Sequence, residues 1–268
     1  MISLAGVGEE RLAAWKQDVD LGDHVGVTGE VMSSRSGELS VLASRWRLTA
    51  KSLRPLPEKF RGLTDAESRV RQRYVDLIVN PGARRSAELR AAVMHSIRSQ
   101  LVDRGFLEVE TPVLTPLHGG ANARPFATRS NAYDSRVYLR IALELYLKRL
   151  IVGGIERVYE IGRIFRNEGA DAAHNPEFTI LEAYEAYGDY DTIGELTREL
   201  VQGAAAAAFG STLIRRADGL EYDIGGDWPK VAVHDAISAV AGEEVTAGTA
   251  EAGLRKFCER LDVLIAIA

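Results

Sequence analysis

Residues 157–187 read RVYEIGRIFRNEGADAAHNPEFTILEAYEAY, two apolar runs on either side of a polar, glycine-containing loop. The runs are short, rich in β-branched and aromatic residues and bounded by loop residues, which is the pattern of two strands joined as a hairpin. Side chains two apart in a strand point to the same face. On the first strand Arg166 and Glu168 are therefore expected to share a face, with Asn167 turned away. On the second strand Glu182 and Tyr184 share one. A guanidinium keeps its charge at any working pH and grips phosphate or carboxylate with two parallel donors. A buried carboxylate beside a phenol suits a long side chain that ends in an ammonium, because a charge left unpaired in such a place is costly. Taken alone, Arg166 and Glu168 read first as a surface ion pair, and Phe178 as an ordinary core ring.

Outward from this hairpin the signals alternate irregularly. Residues 84–104 carry Leu89, Val93, Ile97 and Leu101 on one helical stripe and stop at Gly105. Strand signals recur in FLEVETPVL and RVYLRIA, and helices are expected over 144–152 and 191–209, the latter ending in an alanine run at 204–208. Strands in runs, interrupted by helices without a regular βαβ beat, predict an α+β fold with an antiparallel sheet flanked by helices. In HGGANARPF, residues 118–126, paired glycines allow a close approach to the backbone.

Towards the N-terminus, residues 20–52 read as a small β unit, with strand patterns at 24–31 and 39–42 about a Ser36-Gly37 turn. A unit of two or three strands cannot bury its own faces, so it must lean on other chain. Residues 54–59, RPLPEK, read as a linker, since prolines at 55 and 57 force extended backbone. A charged helix is expected next, capped by Thr64 with Glu67 as its capping-box partner and running to Asn80-Pro81-Gly82. Its Arg69, Arg71 and Arg73 read either as a solvated face or as a contact to RNA or a neighbouring domain. Beyond Tyr222 come a GGDWPK turn, an apolar helix, a small-residue loop and a helix near Glu251.

Composition sets limits on function. The 268 residues are 46% apolar and 26% charged with a net charge of -5, which suits a globular protein and argues against coating nucleic acid by charge alone. A nucleic-acid partner would have to meet a local patch. The single cysteine, Cys258, excludes an internal disulfide and suits a reducing, cytoplasmic setting. No secretory leader and no apolar stretch of about 20 residues is visible, so no membrane contact is expected of this segment.

FRNEG, HNPEFT and LEAY together resemble motif 2 of the class II aminoacyl-tRNA synthetases in its lysyl form, over about 30 consecutive residues. The resemblance implies an enzyme that activates lysine with ATP and transfers it to tRNA-Lys. It implies that Arg166 bridges the α-phosphate and the amino-acid carboxylate, and that Glu168 reads the adenine amino group. His174 and Asn175 would close over ATP, and Phe178 would stack on adenine. Glu182 and Tyr184 would hold the lysine ε-ammonium. HGGANARPF resembles the family loop in which a glycine, Gly119 or Gly120 here, contacts the α-amino group, and Glu144 matches the glutamate that takes the same group. Leu143 departs from the pattern, standing where the family generally has proline, so a local adjustment is expected at the start of that helix.

The helix 84–104 with GFLEVETPVL resembles motif 1, which implies a homodimer. Residues 1–53 resemble the last strands of an anticodon-binding OB-fold. The implied organisation is a partial OB-fold at 1–53, a linker and helix at 54–83, and the first part of a class II catalytic domain at 84–268. The family's Mg2+ ligands and motif 3 have no counterpart here, which leads us to expect a chain shortened at both ends, with little or no adenylation by itself and no metal ligands of its own. The alternatives are a non-catalytic synthetase-like binding or regulatory paralogue, and the synthetase module of a fusion that forms lysylphosphatidylglycerol.

Overall fold

The computed structural model describes residues 1–57, 62–171, 173–216 and 218–261. The chain divides into two compact units, Met1–Ala91 and Ala92–Ala268.

The first unit opens with two helices that the sequence pattern did not disclose, α1 (Leu4–Val7) and α2 (Glu9–Asp18). Strands β1 (His24–Ser33) and β2 (Leu39–Ala50) follow as an antiparallel hairpin. The hairpin leans on what precedes it. Trp46 donates its indole N–H to the Arg11 carbonyl, Arg11 returns a bond to the Trp46 carbonyl, and the Trp46 ring meets Trp15 edge-on at 5.2 Å. A register shift falls between Thr28 and Gly29, where a Cβ on Gly29 would lie 1.9 Å from the Leu42 carbonyl oxygen. Only glycine permits that close approach. The hairpin's base is tied by Asp23, whose buried carboxylate accepts from the Asp20 and Ser52 amides and from the Lys51 ammonium.

The expected charged helix is two helices, α3 (Ala66–Arg71) and α4 (Arg73–Val79), broken at Gln72 with φ -112 and ψ 51. Asp65 caps α3 through the Ser68 amide, displacing Thr64 from that role. The break lets Arg69 and Arg73 both reach the fully buried Asp76, which Asn80 also contacts, while Arg71 pairs with Glu67. The three arginines therefore have partners within the chain. In the expected linker, Glu58 and Lys59 lie outside the described residues. Helix α5 (Pro81–Asp103) starts three residues earlier than expected, with Pro81 in its first position, where a missing N–H costs nothing.

In the second unit, β3 (Leu107–Glu108) and β4 (Leu114–Thr115) are short. They are followed by β5 (Ala127–Ser130), β6 (Ser135–Leu139), α6 (Glu144–Val152), β7 (Arg157–Phe165) and β8 (Glu177–Glu185). The chain continues through α7 (Tyr190–Phe209), the hairpin β9 (Leu213–Arg215) and β10 (Glu221–Asp223), α8 (Val233–Ala241) and α9 (Glu251–Arg260). Residues 262–268, which hold most of the terminal apolar run, lie outside the described residues.

The architecture is the expected α+β, with antiparallel pairing between β7 and β8 and within the sheet β4-β6-β5; β3 adds to β7 in parallel. Each face of the β7–β8 hairpin is covered. On one, Leu101 and Phe106 at the end of α5 and Leu196 and Leu200 of α7 pack on Tyr159. On the other, Leu143 and Leu147 at the start of α6 pack on Val158 and Ile164.

One buried ion pair joins β7 to the segment after β6. Arg140 and Glu160 have side chains 6% and 4% exposed and bond at 2.6 Å. Thr111 gives its amide and hydroxyl to the second Glu160 oxygen, and Arg140 reaches the carbonyls of Arg163 and Thr111. Gly162 makes room: a Cβ there would lie 2.3 Å from an Arg140 nitrogen. The Arg140 carbonyl in turn accepts the Phe165 amide, fixing the end of β7.

Two outcomes follow from these clusters. Arg140→Met strands the Glu160 charge in the interior and should lower unfolding stability by about 3–5 kcal/mol in urea titration. The Asp23 carboxyl is held from its ordinary 3.8 down to about 2 by the Asp20 amide, then by Lys51 and Ser52. A depressed folded value means stability that is complete above the ordinary value and disappears as pH falls towards 2. In a Trp228→Phe background, fluorescence of Trp15 and Trp46 should show acid loosening of the hairpin between pH 4 and 2, and Asp23→Asn should flatten that response.

Candidate active site

Antiparallel pairing of β7 and β8 places Val158 opposite Tyr184, Glu160 opposite Glu182, Gly162 opposite Ile180 and Ile164 opposite Phe178. These pairs share the face covered at one end by α6. Two carboxylates directly opposite each other would ordinarily repel. They are satisfied differently. Glu160 has Arg140, whereas Glu182 has only neutral donors: the Leu143 amide on Oε1 and the Tyr184 hydroxyl on Oε2, each at 3.0 Å. Among the described residues no cationic side chain pairs with Glu182. The partly buried Tyr184 hydroxyl is pushed well above its ordinary value of 10 by burial, then by the charge of Glu182, its hydrogen bond to Glu182 and the charge of Glu144. It therefore remains a proton donor across any working pH.

The α6 start forms the neighbouring wall. Leu143, completely buried, is the N-cap residue of the helix, and no side chain caps it. The amide at this position is turned to the Glu182 carboxylate. Glu144 stands in the first turn and accepts from Lys148 at 2.5 Å; the Lys148 ammonium lies 6.0 Å from the Tyr184 ring centre. Gly120 has φ +86, and a Cβ on it would come within 3.0 Å of the Glu144 Cβ and 3.6 Å of its Oε2. A Cβ on Gly119 would meet Leu145 at 3.1 Å. Gly120 is favoured by its left-handed backbone, and at Gly119 a side chain would press on Leu145, because this loop lies directly on the start of the helix.

At the far end of the hairpin the placement differs from the expected one. Strand β7 ends at Phe165, so Arg166 and Glu168 stand in the loop and not on the strand. The cause is competition for the backbone. The Arg166 amide still bonds the Pro176 carbonyl, but the Asn167 amide turns to the Arg124 carbonyl at 2.7 Å, and Glu168 accepts the Arg124 amide at 3.1 Å. The loop is drawn away from β8. Arg166 remains partly buried, its guanidinium 5.3 Å from the Phe178 ring centre and its Nε 3.4 Å from the Ile141 carbonyl.

His174 and Asn175 are exposed. Asp171 organises that turn, accepting the Ala173 and His174 amides and facing the His174 ring at 2.9 Å. These bonds, the Ala173 amide foremost, hold its carboxyl below the ordinary value. Phe178 and Glu182, four residues apart on one face, are separated by roughly 13 Å along the strand.

Of the sequence-expected residues, Arg166 meets Phe178 at one end of this face and Glu182 and Tyr184 stand with Glu144 and Gly120 towards the other, whereas Glu168, His174 and Asn175 are exposed in the loop beyond β7. Arg140, Glu160, Thr111, Gly162 and the Leu143 amide were not foreseen as parts of this face. The only sequence signal for Arg140 is a charge inside the apolar run YLRIAL. A cavity of about 790 Å3 at the opposite end of the hairpin, bounded by Arg157, Glu185 and Tyr187, contains none of the expected residues. Among the described residues no group of three or more His, Cys, Asp or Glu side chains is placed to hold a metal ion. No helix among them is long and apolar enough to cross a membrane.

The chain is 60% identical over 265 residues to the lysine--tRNA ligase of Kineococcus radiotolerans, a match that covers 99% of this chain and 53% of that protein. It is 56% identical over 265 residues to the lysine--tRNA ligase of Mycolicibacterium gilvum, again covering 99% and 53%. It is also 54% identical over 267 residues to the lysylphosphatidylglycerol biosynthesis bifunctional protein LysX of Rhodococcus opacus, covering 98% of this chain and 24% of that protein. The chain spans about half the length of the two ligases. Residues 65–265 match the family model described as tRNA synthetases class II (D, K and N), and the chain belongs to that family.

Proposed function

We propose that this chain carries the lysine- and ATP-recognising part of a lysine-tRNA ligase. The observation that supports this most directly is Glu182, a partly buried carboxylate bonded by two neutral donors, with no cation of its own among the described residues. A primary ammonium is the complement such a site lacks. Aspartate or asparagine, the other amino acids of this family, would need a cation or an amide reader at this place.

In this reading the ε-ammonium of lysine sits at Glu182 and Tyr184, and its α-amino group meets Glu144 and the backbone at Gly119 or Gly120. ATP lies towards the other end, with adenine on Phe178 and read by Glu168, and with His174 and Asn175 closing over the nucleotide. Arg166 joins the two. Its guanidinium would hold the lysine carboxylate against the α-phosphate as a carboxylate oxygen attacks phosphorus and the bond to pyrophosphate breaks. Catalysis is then placement plus stabilisation of the charge that builds on the phosphoryl oxygens, with no protein nucleophile. The Mg2+ that neutralises phosphate charge in such chemistry finds no ligand cluster among the described residues, and no step is assigned to it.

Transfer of lysine to tRNA-Lys, an anticodon-binding OB-fold role for residues 1–53, a linker and helix at 54–83 leading into the catalytic domain at 84–268, a homodimer through the motif 1 region and a cytoplasmic location complete the proposal. The similarity to LysX supports a second reading, in which the same lysine-activating module serves a protein that forms lysylphosphatidylglycerol.

Titration calorimetry of the 268-residue chain with lysine and, separately, with ATP tests the assignment. Glu182→Gln should weaken lysine by at least about 2 kcal/mol, roughly 30-fold, and leave ATP unchanged. Equal loss of both ligands would overturn it. Lysine-dependent exchange of pyrophosphate into ATP, run on this chain and on a version extended by any downstream open frame and followed by transfer assays with tRNA-Lys, then separates the ligase, active in the extended form, from a binding paralogue, active in neither.

A further inference from the structure

The two carboxylates read as the ends of the lysine site are not equivalent. Among the described residues Glu182 has neutral donors only, whereas Glu144 already holds a cation. Lys148 stands one turn further along α6 and places its ammonium 2.5 Å from Oε1 of Glu144. A glutamate followed four residues later by a lysine is a common stabilising pair on a helix surface. The surroundings of this pair set it apart. Glu144 lies in the first turn of α6, and a Cβ on Gly120 would come within 3.6 Å of its Oε2, so the second oxygen faces the glycine loop. The Lys148 ammonium also lies 6.0 Å from the centre of the Tyr184 ring, whose hydroxyl is bonded to Glu182. One internal ammonium therefore adjoins a group from each end of the site.

We propose that Lys148 is a specificity-determining residue: its ammonium is the counter-ion of Glu144 before lysine binds, the α-amino group of the ligand displaces it, and recognition is thereby weighted towards the ε-amino group at Glu182. This deepens, and rests on, the reading of Glu144 and Glu182 as the two ends of the lysine site. Two ammonium groups on one carboxylate repel each other at short range, so one must yield. Lys148 is the one that can. Its side chain is 59% exposed, against 32% for Glu144, and it carries its charge on a flexible four-carbon stem. An ion pair of such exposure is weak. Displacement is therefore feasible, but what the α-amino group gains at Glu144 is reduced by what Lys148 gives up. No such exchange takes place at Glu182, where the ε-amino group meets a carboxylate without a cation. Every amino acid has an α-amino group, so strong binding of that group adds affinity without selectivity; the side-chain end is what distinguishes one amino acid from another.

Dissociation constants of the 268-residue chain are measured by ligand-observed NMR for L-lysine, for ε-aminocaproate, which lacks the α-amino group, and for L-norleucine, which lacks the ε-amino group. The ratio of the ε-aminocaproate constant to the lysine constant reports the α-amino group, and the ratio of the norleucine constant to the lysine constant reports the ε-amino group. In Lys148→Met the first ratio should rise at least about threefold, and by more than the second. Lys148→Arg, which keeps the charge, should not reproduce the rise, and adding Glu144→Gln to Lys148→Met should abolish it. A first ratio that stays the same or falls means that Lys148 merely supports the helix or orients Glu144, and an equal rise in both ratios means a general field effect; either overturns the inference. Folding is checked by circular dichroism, and Lys148→Gln takes the place of Lys148→Met should the latter not fold. If the unaltered chain prefers lysine to norleucine and Glu182→Gln abolishes that preference while the first ratio does not rise, only this inference fails. If the unaltered chain shows no preference for lysine over norleucine, the reading of Glu182 fails with it.

Discussion

Two like charges placed opposite each other in a β-hairpin set the terms for the rest of the second unit. Glu160 and Glu182 face each other across β7 and β8, and a sheet tolerates that only if each is compensated. Glu160 is compensated from within, by an arginine brought from the end of β6 and by a threonine ahead of β4. That choice carries consequences. It fills the space beside Gly162 with the Arg140 guanidinium and ties the Arg140 segment to the end of β7. Glu182 is left with neutral donors, one of them the first amide of α6. The same constraint thus builds a packed network on one strand and a cation-seeking carboxylate on the next.

The helix that supplies that amide is equally dependent on the arrangement. Leu143 has no side-chain cap of its own, so a carboxylate from β8 satisfies the helix start. Negative charge at a helix N-terminus is favourable, and Glu144 in the first turn adds to it. The glycine loop at 119–120 rests on this same turn. Both ends of an amino acid bound as proposed would therefore be read by groups anchored on one turn of one helix.

Much of this was legible in the sequence, and the failures share a cause. The bounds of β7 and of α6, and the first residue of β8, coincide with the apolar runs, because local pattern and burial agree there. The predicted run at the end of β8 was too long: the strand stops at Glu185, and Tyr187 takes a φ of +64. The placement of Arg166 and Glu168 on the strand failed because Arg124, more than 40 residues away, takes the backbone bonds that a longer hairpin would have used. Arg140, Glu160 and Thr111 escaped notice for the same reason, since their meaning lies in partners 20 to 49 residues distant. The break at Gln72 is likewise dictated by three side chains converging on Asp76. Periodicity reports which face is buried; it does not report which buried charges will find each other.

Gly162 has a meaning beyond packing. The space its missing side chain leaves is the space the Arg140 guanidinium fills, so the two positions are a single decision written twice in the chain. A side chain added at 162 would oblige the guanidinium to shift, and with it the bonds that Arg140 gives to Glu160, Thr111 and Arg163.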